Sequence, residues 1–271
     1  MTYRGPFGCI SGTVNPFTIE STKCEDTTGA APQQVQTLNC STACQAGTRL
    51  TPSVNDTDWD GFATVPSNPS TTYCQTGCTN ISTASDWIGL ESCPFKTCAQ
   101  TELFQAGIYY GYNSTYTSQH PIMFEEYATY TGSCHTTFCG DVTKAVGVGD
   151  SVYFNVNYDA AASYWDLYSQ DTTSNIYQTY YVYVPSETSL TSIQHAITAE
   201  EGQQATSASY YPSTFTFTQQ AGQTSSGTYQ LGTQHWWLTS NGTISPTATI
   251  SYSTSSCGYA GTCASTSISM N

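Results

Sequence analysis

The sequence predicts an all-β protein built as an antiparallel β-sandwich, on the evidence of its residue periodicity and its turn signals. Apolar and polar residues alternate with a period of two in several short runs, as in strands with one buried face. In the run SVYFNVNY, this alternation places four side chains on one face: Val152, Phe154, Val156 and Tyr158. In the run TFTFT, it places Phe215 and Phe217 together. Clusters of Gly, Pro, Asn and Ser separate the runs, which indicates many short strands joined by turns.

The chain is expected to divide into three parts. Its length of 271 residues suits one large β domain with additions. Residues 1–58 contain four of the cysteines, few aromatic residues and little alternation, which predicts a disulfide-rich N-terminal extension. The β-sandwich is predicted to span residues 59–257, and residues 258–271 are predicted to form a loose or pairing C-terminal tail.

The spacing of the twelve cysteines indicates disulfides rather than a metal site. Ten of them form close pairs along the sequence: Cys40/Cys44, Cys74/Cys78, Cys93/Cys98, Cys134/Cys139 and Cys257/Cys263. Zinc sites prefer two residues between paired thiolates, whereas these pairs have three to five. An even number of cysteines with local spacing is typical of an oxidising compartment, although the spacing does not determine which cysteines pair. No metal and no cofactor are expected.

Several features predict a secreted, extracellular protein. Five N-x-S/T sequons predict N-linked glycans: Asn39, Asn55, Asn80, Asn113 and Asn241. The first residues, MTYRGPFGCI, lack the apolar segment of a signal peptide, so we interpret the chain as a mature form. Because no apolar run approaches the roughly 20 residues of a membrane helix, no membrane insertion is expected.

The charge composition excludes nucleic acid as a partner. Charged residues make up 9% of the chain, the formal net charge is -14, and only five residues are Lys or Arg. Such a chain cannot replace the counterions of a phosphate backbone or of an anionic membrane. Few salt bridges are lost when its carboxylates are protonated, so the composition also suits an acid-tolerant protein.

Seven segments are informative because of their order. They are GFATVP at 61–66, SDWIGLES at 85–92, LFQAGIYYGY at 103–112, IMFEEYATY at 122–130, VGVGDSVYFNVNY at 146–158, HAITAEE at 195–201 and YYPSTFTFT at 210–218. This series resembles the glutamic peptidases (eqolisins). That family shows, in the same order, a strand ending in V-P, W-V-G-I-D-G, an L-Q-x-G strand and a Y-E-W-Y strand. A G-D-S turn, A-E-x-I-x-E and a closing F-x-F strand follow. The resemblance covers roughly residues 60–220.

The resemblance implies a concanavalin A-like jelly roll and an acid endopeptidase that acts on polypeptides without a cofactor. Matched residue by residue, Gln105 falls on the catalytic glutamine and Glu200 on the catalytic glutamate. Three further residues fall on positions that contact substrate or lie beside the pair: Trp87, Glu91 and Glu125. Since Gln105 and Glu200 are implied to share one water, we expect them on one face of a sheet.

The chain departs from the family pattern around both carboxylates. Glu126 occupies the place of an aromatic residue, which gives FEEY, and side chains alternate on a strand, so one of Glu125 and Glu126 is expected to face inward. Ala196 replaces a glutamate, and Glu201 directly follows Glu200. A slip of one residue would turn the Glu200 carboxylate to the opposite face.

Two other functions fit the same sandwich. Its 21 tyrosines, together with the disulfides and glycans, suit a non-catalytic structural glycoprotein of a wall, coat or fibre, which would bind identical subunits. A carbohydrate-binding protein is the other alternative, in which Trp236 and Trp237 would line a groove. A fold does not by itself specify a function, so the site has to decide between the three.

Overall fold

Two antiparallel β-sheets make up the described part of the protein. The structure is a computed structural model that describes residues 10–11, 23–25, 35–39, 43–51, 56–67, 83–92, 101–110, 121–131, 134–162, 164–182, 193–203, 212–224, 229–230, 233–239, 247–258 and 260–270. The first nine strands are Ile10–Ser11 (β1), Lys23–Glu25 (β2), Val35–Asn39 (β3), Ala43–Thr51 (β4), Asp56–Thr64 (β5), Thr83–Ser92 (β6), Thr101–Tyr110 (β7), Ile122–Thr131 (β8) and Cys134–Ala145 (β9). The others are Ser151–Asp159 (β10), Tyr164–Asp171 (β11), Ile176–Val182 (β12), Ile193–Gln203 (β13), Phe215–Thr224 (β14), Tyr229–Gln230 (β15), Thr233–Thr239 (β16), Thr247–Cys257 (β17) and Gly261–Met270 (β18).

The strand order defines the two layers. Sheet 1 has the order β1-β9-β8-β7-β6-β13-β4-β16-β2. Sheet 2 has the order β12-β11-β10-β5-β14-β18-β17-β3, and β15 pairs with β14 beside this path. The fold class predicted from the sequence, an antiparallel β-sandwich, is confirmed.

Alternation along the strands builds the core between the sheets. In β10, Val152, Phe154 and Val156 are buried while the residues between them are partly exposed, as the sequence predicts. Phe215 and Phe217 also face the core together. Across the two sheets, Phe104 of β7 stacks on Trp165 of β11 with ring centroids 4.4 Å apart. We call the core-facing side of each sheet its inner face and the opposite side its outer face.

A tight turn at residues 147–150 fixes the start of β10. Gly149 has a φ of 90°, which few residues other than glycine adopt. The Asp150 side chain accepts a hydrogen bond from the Gly147 amide at 2.7 Å. The Val65 N–H donates to the Asp150 carbonyl oxygen at 2.8 Å, and the Gly149 N–H donates to the Val65 carbonyl oxygen at 2.8 Å. The Gly149–Asp150 turn predicted from the sequence is therefore present, and it holds β10 in register with β5.

The predicted boundaries at residues 58 and 257 do not separate layers of the structure. In sheet 1, β4 lies between β13 and β16, and in sheet 2, β18 lies between β14 and β17. The C-terminal segment is thus an internal strand, whose inner face buries small or apolar side chains such as Ala264 and Ile268. Cys257 and Cys263 form a disulfide that closes the β17–β18 hairpin. The side chains of the other cysteines lie outside the described set, as do those of the five sequon asparagines.

Candidate active site

Gln105 lies on the outer face of sheet 1. Its strand neighbours Phe104 and Ala106 belong to the core, as do Ile108 and Tyr110 further along β7. Because successive side chains of a strand point to opposite faces, Gln105 points away from the core. It is nevertheless only 4% exposed, and its Oε1 has no hydrogen-bond partner within the described ranges.

Glu126 is the carboxyl group that the structure brings to Gln105. The two residues are Cα partners on the adjacent strands β7 and β8. Directly opposed side chains on one face lie about 4.5–5.5 Å apart at Cβ. Glu126 is 2% exposed, so the amide and the carboxyl group form a buried pair on the outer face. The sequence places one of the two adjacent glutamates inward and the other outward, and the β7–β8 register identifies Glu126 as the outward one.

Glu125 lies on the inner face, so it does not border Gln105. Its Oε2 accepts a hydrogen bond of 2.6 Å from Gln178 Nε2, which comes from β12 in sheet 2. Gln178 Oε1 in turn accepts from the Lys144 amide at 3.1 Å. This differs from the substrate-binding position implied for Glu125, because the strand turns its side chain into the interior, where it links the two sheets.

Trp87 and Glu91 share the outer face with Gln105. Gly89 is the Cα partner of Gln105, and a Cβ at Gly89 would lie 3.2 Å from both Trp87 Cζ3 and Gln105 Cβ. The Trp87 ring therefore lies over Gly89 and beside Gln105. Glu91 is two residues further along β6, which makes it a diagonal neighbour of Gln105 at about 7–8 Å.

Gly107 creates the space that Trp87 occupies. It is the Cα partner of Trp87, and a Cβ at this position would lie 2.7 Å from Trp87 Cα and 2.2 Å from the Asp86 carbonyl oxygen. We expect Gly107→Ala to destabilise the protein by about 1–3 kcal/mol, because the backbones of β6 and β7 would have to move apart. Urea unfolding would measure this. The matched control is Gly258→Ala, where no atom lies within 4 Å of the added Cβ; equal stability losses in both variants would contradict the close approach of the strands.

Glu200 lies on the inner face, opposite to Gln105. In β13, Ala196 belongs to the core, and Thr198 accepts a hydrogen bond from Gln220 of sheet 2. Glu200 follows Thr198 by two residues and is fully buried, so its side chain also lies between the sheets. The structure therefore does not bring Gln105 and Glu200 together, in contrast to the shared face expected for a catalytic pair. The β13–β6 register causes this difference.

The neighbour of Glu200 is Asp86, a residue that the sequence analysis did not single out. The two are Cα partners on β13 and β6, and both are fully buried. Burial raises the pKa of Glu200 well above its usual range, and the nearby Asp86 raises it further. Burial likewise raises the pKa of Asp86, and the nearby Tyr110 hydroxyl lowers it in part. Alternation with Ala84 and Ile88 along β6 was the available sequence signal that Asp86 points into the core.

For the two tryptophans expected to line a carbohydrate groove, the structure describes the backbone only. Trp236 and Trp237 lie in β16, where they are Cα partners of Thr48 and Gly47, but their side chains are outside the described set. Among the described residues, no group of three or more His, Cys, Asp or Glu could hold a metal ion, and no helix is long and apolar enough to cross a membrane.

The fold of this chain is similar to that of a solved glutamic peptidase. Scytalido-glutamic peptidase, in a complex with a peptide-based transition state analog, superposes with a TM-score of 0.50 at 14% identity. The match covers 86% of this chain and 98% of that one. The chain has the fold of the glutamic peptidases. SCP-B, a member of the eqolisin family in a complex with the tripeptide Ala-Ile-His, gives a TM-score of 0.46, also at 14% identity, over 86% of this chain and 98% of its own. The sequence matches no family model and no curated protein.

The likeness in fold therefore agrees with the glutamic peptidase resemblance of the sequence motifs. At 14% identity the likeness concerns the fold, and the side chains of this chain determine its chemistry. On the outer face of sheet 1, those side chains are Gln105, Glu126, Glu91 and Trp87.

Proposed function

We propose that this chain is a secreted endopeptidase of the glutamic peptidase type, which hydrolyses peptide bonds in acid with the Gln105 amide and the Glu126 carboxyl group. The observation that carries the proposal is the direct cross-strand pairing of Gln105 with Glu126 on the outer face of sheet 1. An amide and a carboxyl group at this separation can hold one water between them.

The chemistry requires a base for water, a donor for the oxyanion and an acid for the leaving amine. The Glu126 carboxylate takes a proton from the water, whose oxygen then attacks the carbonyl carbon of the scissile bond. The Gln105 N–H donates a hydrogen bond to the oxyanion that forms on the carbonyl oxygen. The protonated Glu126 then returns its proton to the amine nitrogen as the carbon–nitrogen bond breaks.

Gln105 has two properties that suit this role. As a neutral amide it donates hydrogen bonds at any pH, and it adds no negative charge that would oppose the oxyanion. The Trp87 ring beside it is buried, and it would contact a substrate side chain only once the covering atoms move. Glu91, a diagonal neighbour, supplies a second carboxyl group that can accept a hydrogen bond from a substrate amide.

The test is hydrolysis of an acid-denatured protein at about pH 3.5. We expect Gln105→Ala to lower kcat by about 10²–10³-fold and Glu126→Gln to lower it by about 10²–10⁴-fold. Gln223→Ala, on sheet 2, is the matched amide control and should retain the parent rate.

Glu200→Gln decides between the two candidate carboxyl groups. The family motif assigns the base to Glu200, whereas the cross-strand pairing favours Glu126. If Glu200→Gln abolishes activity at unchanged stability while Glu126→Gln retains it, the proposed base is wrong. Activity that survives both glutamate substitutions and Gln105→Ala would overturn the glutamic mechanism itself.

Burial of the outer face favours a second candidate, a non-catalytic extracellular structural glycoprotein on the same fold. Gln105 and Glu126 are almost inaccessible, and Trp87, Tyr109 and Phe124 beside them are buried as well. A substrate could reach the pair only if the covering atoms moved. A parent protein that is folded but cleaves no peptide bond in acid would support this second function and contradict the first.

A further inference from the structure

The outer face of sheet 2 carries a cluster of tyrosines that the core does not need. Alternation in β10, β11 and β12 sends residues such as Phe154, Trp165 and Tyr180 into the core. The residues between them point outward. We call the outward tyrosines of these three strands the tyrosine face; they are Tyr153, Tyr164, Tyr168, Tyr177 and Tyr181.

Three rings of the tyrosine face form a continuous row with Phe62, so that the row crosses four neighbouring strands. Phe62 of β5 contacts Tyr153 with ring centroids 4.9 Å apart, and Tyr153 contacts Tyr168 at 6.2 Å. Tyr168 in turn lies 6.2 Å from Tyr177, with the two ring planes within 25° of each other. Since neighbouring strands are about 4.8 Å apart, the row extends about 14 Å. This length suits an extended chain better than a single small molecule.

The two exposed rings of the tyrosine face do not belong to the core between the sheets. Tyr177 is 61% exposed and Tyr181 is 50% exposed, and both lie in β12 at the edge of sheet 2. Clustered exposed aromatic rings on a soluble protein usually mark a surface that binds something. Tyrosine suits such a surface, because its ring supplies contact area while its hydroxyl remains solvated.

Hydrogen-bonding groups alternate with the rings. Tyr153 donates to Asp60 at 3.1 Å, and Tyr168 donates to Gln170 Oε1 at 3.1 Å. Asn155, between the two, donates to Asp58. Asp166 is half-buried on the same face, and its Oδ1 has no hydrogen-bond partner in the described part of the chain. The face therefore offers carboxyl, amide and hydroxyl groups within reach of each ring.

We propose that the tyrosine face binds a neutral polysaccharide, which goes beyond the proposed peptidase function and is independent of it. The apolar faces of successive sugar rings would lie on the tyrosine rings. Their hydroxyl groups would exchange hydrogen bonds with the carboxyl and amide groups between the rings. In this way the enzyme, or the structural protein, would be held on a cell wall or another insoluble glycan.

The charge of the tyrosine face favours a neutral polymer over an anionic polymer or a second copy of the chain. Strands β5, β10, β11 and β12 contain no Lys or Arg, so an anionic polymer would meet only carboxyl groups. A second copy of the chain docked on the same face would oppose Asp58, Asp60 and Asp166 to their own counterparts, which is unfavourable. A cationic peptide would bind through the charges of Asp58 and Asp60, and such binding would weaken with added salt, unlike ring contact with a neutral polymer.

The test is depletion of the full-length protein from solution by cellulose, chitin and an insoluble β-1,3-glucan. We expect saturable binding to at least one of them, little change in affinity with added salt, and no binding to polygalacturonate. Tyr177→Ala should weaken binding about tenfold through loss of ring contact, whereas Tyr177→Phe, which keeps the ring, should bind like the parent. Val148→Ala, at an exposed position of the turn that precedes β10, is the matched control because it removes no aromatic ring.

Three results would overturn the proposal. One is an absence of binding to all three neutral polysaccharides by the folded parent. Another is binding that disappears with added salt, because ionic attraction and not ring contact would then hold the polymer. The third is dimerisation in solution that Tyr177→Ala abolishes, because the face would then be an interface between copies of this chain.

Discussion

The free energy of unfolding is expected to fall as the pH rises from about 4 to about 8, which is the reverse of acid denaturation. Asp86 and Glu200 are fully buried next to each other, and burial raises the pKa of both well above the usual range. A carboxyl group with a raised pKa binds more protons in the folded than in the unfolded state. Its stabilising contribution is complete below the ordinary carboxyl pKa of about 4 and is lost as the pH rises through the folded-state value.

Two carboxyl groups on sheet 2 act in the same direction. Burial, together with Asp60, raises the pKa of Asp58 to about 7 against the opposing hydrogen bond from Asn155. Burial and Asp159 raise the pKa of Asp166 to about 6. Because Asp166 is half-exposed, solvent screening reduces its share. The loss of stability should therefore begin above about pH 4 and continue through about pH 7.

Thermal unfolding measured from about pH 3.5 to about pH 8 tests this expectation. We expect Tm to fall by more than about 5 °C over the range. The double variant Asp86→Asn/Glu200→Gln should flatten the dependence, because neutral amides replace the groups that titrate. Glu102→Gln, which removes a carboxyl group that is only partly buried, should keep the parent slope. A Tm that rises with pH would show that the Asp86–Glu200 pair does not lie between the sheets.

Trp165→Ala is expected to destabilise the protein by about 3–5 kcal/mol, the largest effect of a single substitution that the described core suggests. Trp165 is fully buried in sheet 2, and its ring stacks on Phe104 of sheet 1 and contacts Tyr158. Truncation would leave a cavity where the two sheets meet, and the surrounding strands can collapse into it only partly.

Urea unfolding of the parent and the variant measures this loss, provided that the slope of the transition is unchanged. Val148→Ala, at an exposed position, should change stability by less than about 0.5 kcal/mol. A loss below about 1 kcal/mol in Trp165→Ala would mean that Trp165 is not part of a close-packed interface between the sheets.

Local pattern was sufficient to predict the elements and the faces of several strands. Val152, Phe154 and Val156 point to the core because period-two alternation is a property of one strand and needs no partner. The Gly149–Asp150 turn is also local, since a positive φ and a side-chain hydrogen bond within the turn define it. The strand containing Gln105 was predicted from the apolar run LFQAGIYYGY and its resemblance to the family's L-Q-x-G strand.

The C-terminal strand shows where local pattern was insufficient. GTCASTSISM lies in the segment predicted as a loose or pairing tail, which leaves open whether it belongs to a sheet. In the structure, pairing with β14 and β17 on either side makes it internal to sheet 2, where small side chains such as Ala264 and Thr266 fit the interior. Neighbouring strands that are distant in sequence supply this burial.

The sequence by itself determined the β-sandwich, the order of the strands' motifs and the residue types available for chemistry. Only the tertiary structure decided which of these residues meet. Gln105 faces Glu126 through the β7–β8 register, while Glu200 faces Asp86 through the β13–β6 register. A shift of one residue in either register would turn a carboxyl group to the other face of the sheet, and no local property of a single strand sets that register.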